Sequence, residues 1–158
     1  MWSLYTNRGY NYKQQQILLL KRVLGEEIMY IFGHRFIKSD SFYHIACIEA
    51  IKNTPSSSVL YLEFSEDNLD IIDFINENQI SLALGVNTIT EIIYASSLGA
   101  SYILVPSELA LSAQSIANNY LFDAKILVRT EEESEIEELA LLGVDGIIFA
   151  NAIVKINS

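Results

Sequence analysis

The sequence predicts an α/β protein in which a parallel sheet is assembled from repeated βα units, and three observations carry that reading. Residues 125–155, KILVRTEEESEIEELALLGVDGIIFANAIVK, spell one strand–helix–strand unit with its punctuation intact. Ile126 to Val128 are apolar. Thr130 followed by Glu133 has the spacing of a helix-starting capping box, and Ile136, Leu139, Ala140 and Leu142 form an apolar stripe. Gly143 stops the helix, and Asp145 to Ala150 read as a second buried strand. Nearly the same unit recurs upstream, and its short apolar runs are rich in the β-branched residues that suit a strand buried on both faces.

In chain order, residues 1–12 (MWSLYTNRGYNY) show no period and read as an aromatic arm, and Lys13 to Leu24 read as a short helix ended by Gly25. Residues 1–24 thus form an arm and helix, and residues 25–158 a single α/β domain. The domain opens with a strand, Glu27–Phe32, ending at Gly33-His34-Arg35. A helix follows over Ser41–Asn53, capped by Asp40 or Ser41. Val59–Phe64 is the second strand and Asp67–Asn78 its helix. Ile80–Gly85 is the third, after which Thr88 and Glu91 form a capping box for a helix stopped by Gly99. Ser101–Val105 is the fourth, with a helix over Glu108–Tyr120. Residues 125–155 complete six strands. Helical connections make the sheet parallel, which leaves two closures: a reduced relative of the eight-stranded βα barrel, or a doubly wound open sheet.

With 158 residues, 51% of them hydrophobic, one domain can bury a sizeable core. The polar and aromatic start and the lack of a long apolar run point to a soluble, cytoplasmic protein. The net charge of −10 is unevenly placed. Residues 1–52 hold seven Lys/Arg and four Asp/Glu, a net of +3, whereas residues 53–158 hold three and sixteen, a net of −13. Such an acidic body argues against nucleic acid or an anionic membrane as partner. The lone Cys47 lies in an apolar helical pattern and reads as a buried, inert thiol. His44 reads as a packed mid-helix side chain, and the six acids of Glu131–Glu138 as a solvated helix face.

In either closure the functional edge is the carboxyl end of the strands. That rule selects His34 and Arg35 after the first strand, Glu63 and Ser65 after the second, Asn87 after the third, and Ser107, Arg129 and Asn151 beyond. His34 and Arg35 beside Glu63 combine a group that titrates near neutrality with a fork of donors, a pairing suited to binding phosphate and moving a proton. No metal-spaced Cys/His cluster, dinucleotide fingerprint, P-loop or nucleophile elbow is present.

The segment VRTEEESEIEELALLGVDGIIF resembles the last two strands of the glycerophosphodiester phosphodiesterases, with Thr130, Gly143, Asp145 and Gly146 in register. GHR followed by EAI and a strand ending LEF resembles that family's opening. The resemblance implies that His34 and Arg35 are the acid/base and phosphate-binding pair and that Glu63 ligates a divalent cation, Mg²⁺ or Ca²⁺. Asn87, Ser107, Arg129 and Asn151, chosen by the strand-end rule, are the candidate contacts to substrate or phosphate. Phe36 stands where the family has a glycine, Ser65 where it has a second acid, and the segment with a second catalytic histidine is missing. A second run, LALGVNTITEIIYASSLGASYILVPSE, resembles the aldolases that cleave 2-keto-3-deoxy-6-phosphogluconate, through Gly85, Val86, Thr88, Glu91, Gly99 and Pro106. The position of their Schiff-base lysine is Ile103. Three expectations follow: a phosphodiesterase-like domain with an incomplete site, either inactive or a hydrolase completed by a metal or a partner; a phosphate-binding, aldolase-like barrel remnant; or a non-enzymatic scaffold. A small phosphorylated ligand and a homodimer are the expected partners, the dimer covering unpaired sheet edges.

Overall fold

The computed structural model describes Gln16, Leu20, Val23, Leu24 and residues 28–157. The arm over residues 1–12 and most of the helix expected over residues 13–24 lie outside the described residues.

Eight strands, all parallel, form one sheet: β1 (Tyr30–Phe32), β2 (Phe42–His44), β3 (Val59–Glu63), β4 (Ser81–Gly85), β5 (Tyr102–Pro106), β6 (Lys125–Arg129), β7 (Gly146–Ile148) and β8 (Ile153–Lys155). Their order is β1-β7-β6-β5-β4-β3-β2-β8. From β2 to β7 each strand neighbours the next in sequence, with no reversal of direction, so the doubly wound arrangement does not occur. Nor is the chain limited to six strands. Two further strands, β2 and β8, pair with each other and extend the predicted set beyond β3.

Among the described residues, four α-helices connect the strands: α1 (Leu69–Glu77), α2 (Ile89–Ser97), α3 (Ala110–Asn119) and α4 (Glu135–Leu142). All four press on one face of the sheet. Their residues Ile72, Ile75, Ile92, Ala113, Ala117 and Leu139 share a buried cluster with Leu60, Leu62, Leu82, Leu84, Ile103, Val105, Ile126, Val128 and Ile147. The alternate strand residues face the other way. Phe32, Phe42, Tyr61, Ala83, Leu104, Leu127 and Ile148, one from each of the first seven strands, meet Ala152 in a second cluster inside the curl. Phe32 and Phe42 lie near opposite ends of the strand order, yet their rings are 4.9 Å apart. The sheet therefore curls until its ends face each other. Among the described residues no ladder joins β1 to β8, but a Cβ on Gly33 would lie 2.7 Å from the Ala152 nitrogen, so backbone meets backbone at the seam. Gly33 also has φ of +82°, and glycine alone satisfies both demands easily.

Several expectations need correction. Ser41–Asn53 is not a helix: it comprises β2 and a 3₁₀ turn over Ile48–Asn53. Its apolar pattern is that of a strand followed by a tight turn, and Phe42 is fully buried within the curl. His44 consequently lies on a strand, and Cys47 is half-buried where the 3₁₀ turn begins. At the other end, Thr130 and Glu133 do not form a capping box. The Thr130 hydroxyl accepts from the Glu132 N–H, and α4 begins two residues after Glu133, with Ser134 at its cap. The other box is present: Thr88 accepts from the Glu91 N–H at 3.2 Å and donates to its carboxylate. Gly143 (φ +78°) and Gly99 (φ +86°) end their helices as expected. No helix among the described residues is long and apolar enough to cross a membrane.

Phe42 tests this architecture, because it fills the curl from a strand that reads as helix. Phe42→Ala is expected to cost about 3–5 kcal/mol in urea unfolding. A cost below about 1 kcal/mol would mean that the interior is not closed around that ring.

Candidate functional site

The carboxyl end of the curl holds a polar cluster one layer above the apolar interior. Residues two apart on a strand share a face, so Glu63 follows Tyr61, Arg129 follows Leu127 and His44 follows Phe42 up the inner wall. Between β3 and β6 that wall is lowered at Gly85 on β4, which pairs with Glu63. A Cβ at Gly85 would overlap the Arg129 guanidinium and the Tyr61 hydroxyl and would lie 2.6 Å from Glu63 Oε2. Arg129 therefore reaches from β6 across β5 and β4 to β3 because β4 offers no side chain there.

Its bonds are specific. Arg129 Nη2 donates to the Tyr61 hydroxyl at 2.6 Å and to Glu63 Oε1 at 3.1 Å, and Tyr61 donates in turn to Glu63 Oε1. The guanidinium also lies over the Tyr61 ring, 5.5 Å from its centroid. Burial, then the hydrogen bond to Glu63, push the Tyr61 hydroxyl well above its ordinary pKa, so it remains a proton donor across the physiological range. Among the described residues the buried Arg129 Nε has no partner, and the side chain is about one-third exposed (34%). Its bonds to other side chains all run through Nη2 among the described residues. His44 packs its ring edge-on against Tyr61, 4.9 Å between centroids. Burial, with a smaller contribution from the cations Lys155 and Arg129, holds its pKa below the ordinary value, while Glu63 acts in the opposite sense.

His34 and Arg35 are engaged elsewhere. His34 Nδ1 accepts the Phe36 N–H at 3.2 Å, so in the neutral ring the proton sits on Nε2, 2.9 Å from Glu133 Oε1. Arg35 donates to the same oxygen and stacks on Phe36. These bonds, that of His34 foremost, hold the Glu133 carboxyl below the usual carboxylate range. The structure thus splits the predicted group in two: His34 and Arg35 with Glu133, and Glu63 with Arg129 and Tyr61. Ser107 donates to Glu135 at 2.8 Å, with the Arg129 carbonyl a more distant acceptor for the same proton at 3.3 Å, while Asn87 and Asn151 are exposed. Ser65 caps the turn after β3 by accepting from the Asp67 N–H.

The surroundings of Glu63 are those of an ion pair, with a guanidinium and a phenol on its carboxylate, and do not fit a divalent cation. Among the described residues no three His, Cys, Asp or Glu side chains gather as a metal site. Sequence reasoning did not select Tyr61 or His44. The signal that could have found them is Gly85, a glycine inside an apolar strand, which marks a close approach by another group.

Gly85→Ala is expected to cost about 1–3 kcal/mol in urea unfolding, and markedly less in an Arg129→Ala background, where the guanidinium no longer occupies the space. Equal costs in both backgrounds would show that Arg129 does not fill it. A second expectation concerns pH. His44 has a lowered folded pKa, so as pH falls below about 6.5 the unfolded chain takes up the proton first and stability drops. His44→Phe should remove that part of the slope between pH 7.5 and 5.5, while the depressed Glu133 carboxyl acts in a separate, more acidic window. An unchanged slope in His44→Phe would refute the assignment.

Compared with models of known protein families the chain matches none, and a search of curated proteins found no match either.

Proposed function

We propose that this chain is a binding domain for a small phosphorylated ligand, taken at the carboxyl-end mouth of the curled sheet by Arg129, and that its phosphodiesterase-like pattern does not amount to a hydrolytic site. The observation that carries the reading is the clearing at Gly85. It lets one guanidinium stand in the mouth, oriented by Tyr61 and Glu63, with its remaining donors unspent on other side chains. A fixed guanidinium is suited to a phosphate oxygen, and the orienting bonds reduce the ordering cost of binding.

Two observations weigh against hydrolysis. The acid/base candidate His34 donates its Nε2–H hydrogen bond to Glu133, while Glu63 is held by Arg129 and Tyr61, so the two share no partner among the described residues. A general acid and a metal ligand that act on one ester must converge on it. The carbonyl chemistry of the aldolase-like reading lacks its amine, since Ile103 is buried against the helices. The scaffold role would use the amino-terminal arm, which lies outside the described residues, together with the acidic helix, whereas the homodimer is expected from unpaired sheet edges.

Titration calorimetry with inorganic phosphate and with glycerol 3-phosphate tests the reading. Wild type should bind, and Arg129→Ala should bind at least about tenfold more weakly. Binding unchanged in Arg129→Ala would reject it. In a parallel assay with Mg²⁺ or Ca²⁺, wild type, His34→Ala and Glu63→Ala should all cleave bis(4-nitrophenyl) phosphate at the background rate. Cleavage by wild type that is lost in both variants would make the protein an enzyme.

A further inference from the structure

Strand β8 brings one more cation to the same mouth. Ile153 packs with the interior cluster, so Lys155, two residues on, lies on the inner face of the curl beyond it. Its Cα partner is His44 on the adjacent strand, and its charge is felt at the imidazole. Lys155 is exposed and has no ion-pair partner among the described residues. Across the mouth the groups therefore run in a row: Arg129 from β6, reaching over Gly85 to Tyr61 and Glu63 on β3, then His44 on β2 and Lys155 on β8. Neighbouring strands lie about 4.8 Å apart, so β8 stands about 10 Å from β3. Two cations thus flank a single carboxylate, in a chain whose net charge is −10.

A single phosphate cannot engage both ends of such a row. One anionic group is met by Arg129, and a second, several ångströms away, is met by the Lys155 ammonium and the His44 ring. The intervening Glu63 and the Tyr61 hydroxyl suit the polar, uncharged middle of a ligand, where a carboxylate can accept from hydroxyl groups. We propose that Lys155 and His44 form a second anion-binding position, so that the ligand carries two anionic groups, one at each end. This deepens, and rests on, the reading of the mouth as a binding site for a phosphorylated ligand.

The test compares two probes of equal carbon length by titration calorimetry: glycerol 3-phosphate, with one anionic group, and 3-phosphoglycerate, with two. Wild type should bind 3-phosphoglycerate about tenfold more tightly. Lys155→Ala should erase that preference while leaving the affinity for glycerol 3-phosphate unchanged, and Lys155→Arg should keep the preference. Because Lys155 is exposed, a circular dichroism spectrum matching wild type is expected for both variants. Equal affinity of wild type for the two probes, or an equal loss for both in Lys155→Ala, would overturn the second position while leaving the Arg129 site standing. No binding of either probe to wild type would overturn both.

Discussion

The volume enclosed by the curled sheet is the constraint on which the rest depends. A parallel strand buried on both faces alternates residues between helices and interior, and the interior must be filled without voids. Here one layer does it, the rings of Phe32, Phe42 and Tyr61 packing in one cluster with Leu104, Leu127, Ile148 and the small Ala83 and Ala152. The aromatic side of the curl is the side whose connections carry no α-helix, since β1 to β2 and β7 to β8 run through loops and a 3₁₀ turn. One layer higher the filling becomes polar, and the same alternation that buries Tyr61 and Leu127 places Glu63 and Arg129 above them.

The segment from Arg129 to Glu135 ties the rim of this mouth together. Glu131 accepts the Ala150 N–H at 2.7 Å, Glu133 accepts from His34 and Arg35, and Glu135 accepts from Ser107. One loop thereby contacts the segments that follow β7, β1 and β5. Each contact is exposed and energetically modest, so their effect lies in position more than in stability. Asp145 plays a corresponding part at the amino end of the strands, where it accepts the Ile126 N–H at 2.9 Å while its own N–H donates to the buried Gln114.

What the sequence disclosed follows from the range of the forces concerned. Strands β3 to β7 and helices α1 to α3 were readable because their signals are local: apolar runs, the Thr88 box, and glycines at helix ends. The stretch over Ser41–Asn53 was misread because an apolar pattern over so few residues fits a helix as well as a strand and turn. Strand β8 escaped notice because three residues, one of them Lys155, make no run. The partners of the site residues were invisible for another reason. Glu63 and Arg129 are 66 residues apart, and His34 and Glu133 are 99 apart, so only the closing of the sheet brings them together. The acids of residues 131–138 are mostly exposed, as a solvated face should be, but charge patterning reports composition and does not show that Glu131, Glu133 and Glu135 also accept hydrogen bonds.

The pairing of β2 with β8 has a kinetic consequence. Phe42 and Ile153 are register partners about 110 residues apart, whereas β3 to β6 are joined to their neighbours by short βα crossovers. Long loops close late because their chain entropy is spent before their contacts are gained. The helix-backed arc is therefore the part of the molecule suited to form early, with the long-range β1–β7 and β2–β8 pairings closing afterwards. Arg129, Glu63 and Tyr61 would assemble with that arc, while His44 and Lys155 would meet only at the final step. The ordering of the fold in time thus divides the mouth along the same line that divides its two cations in space.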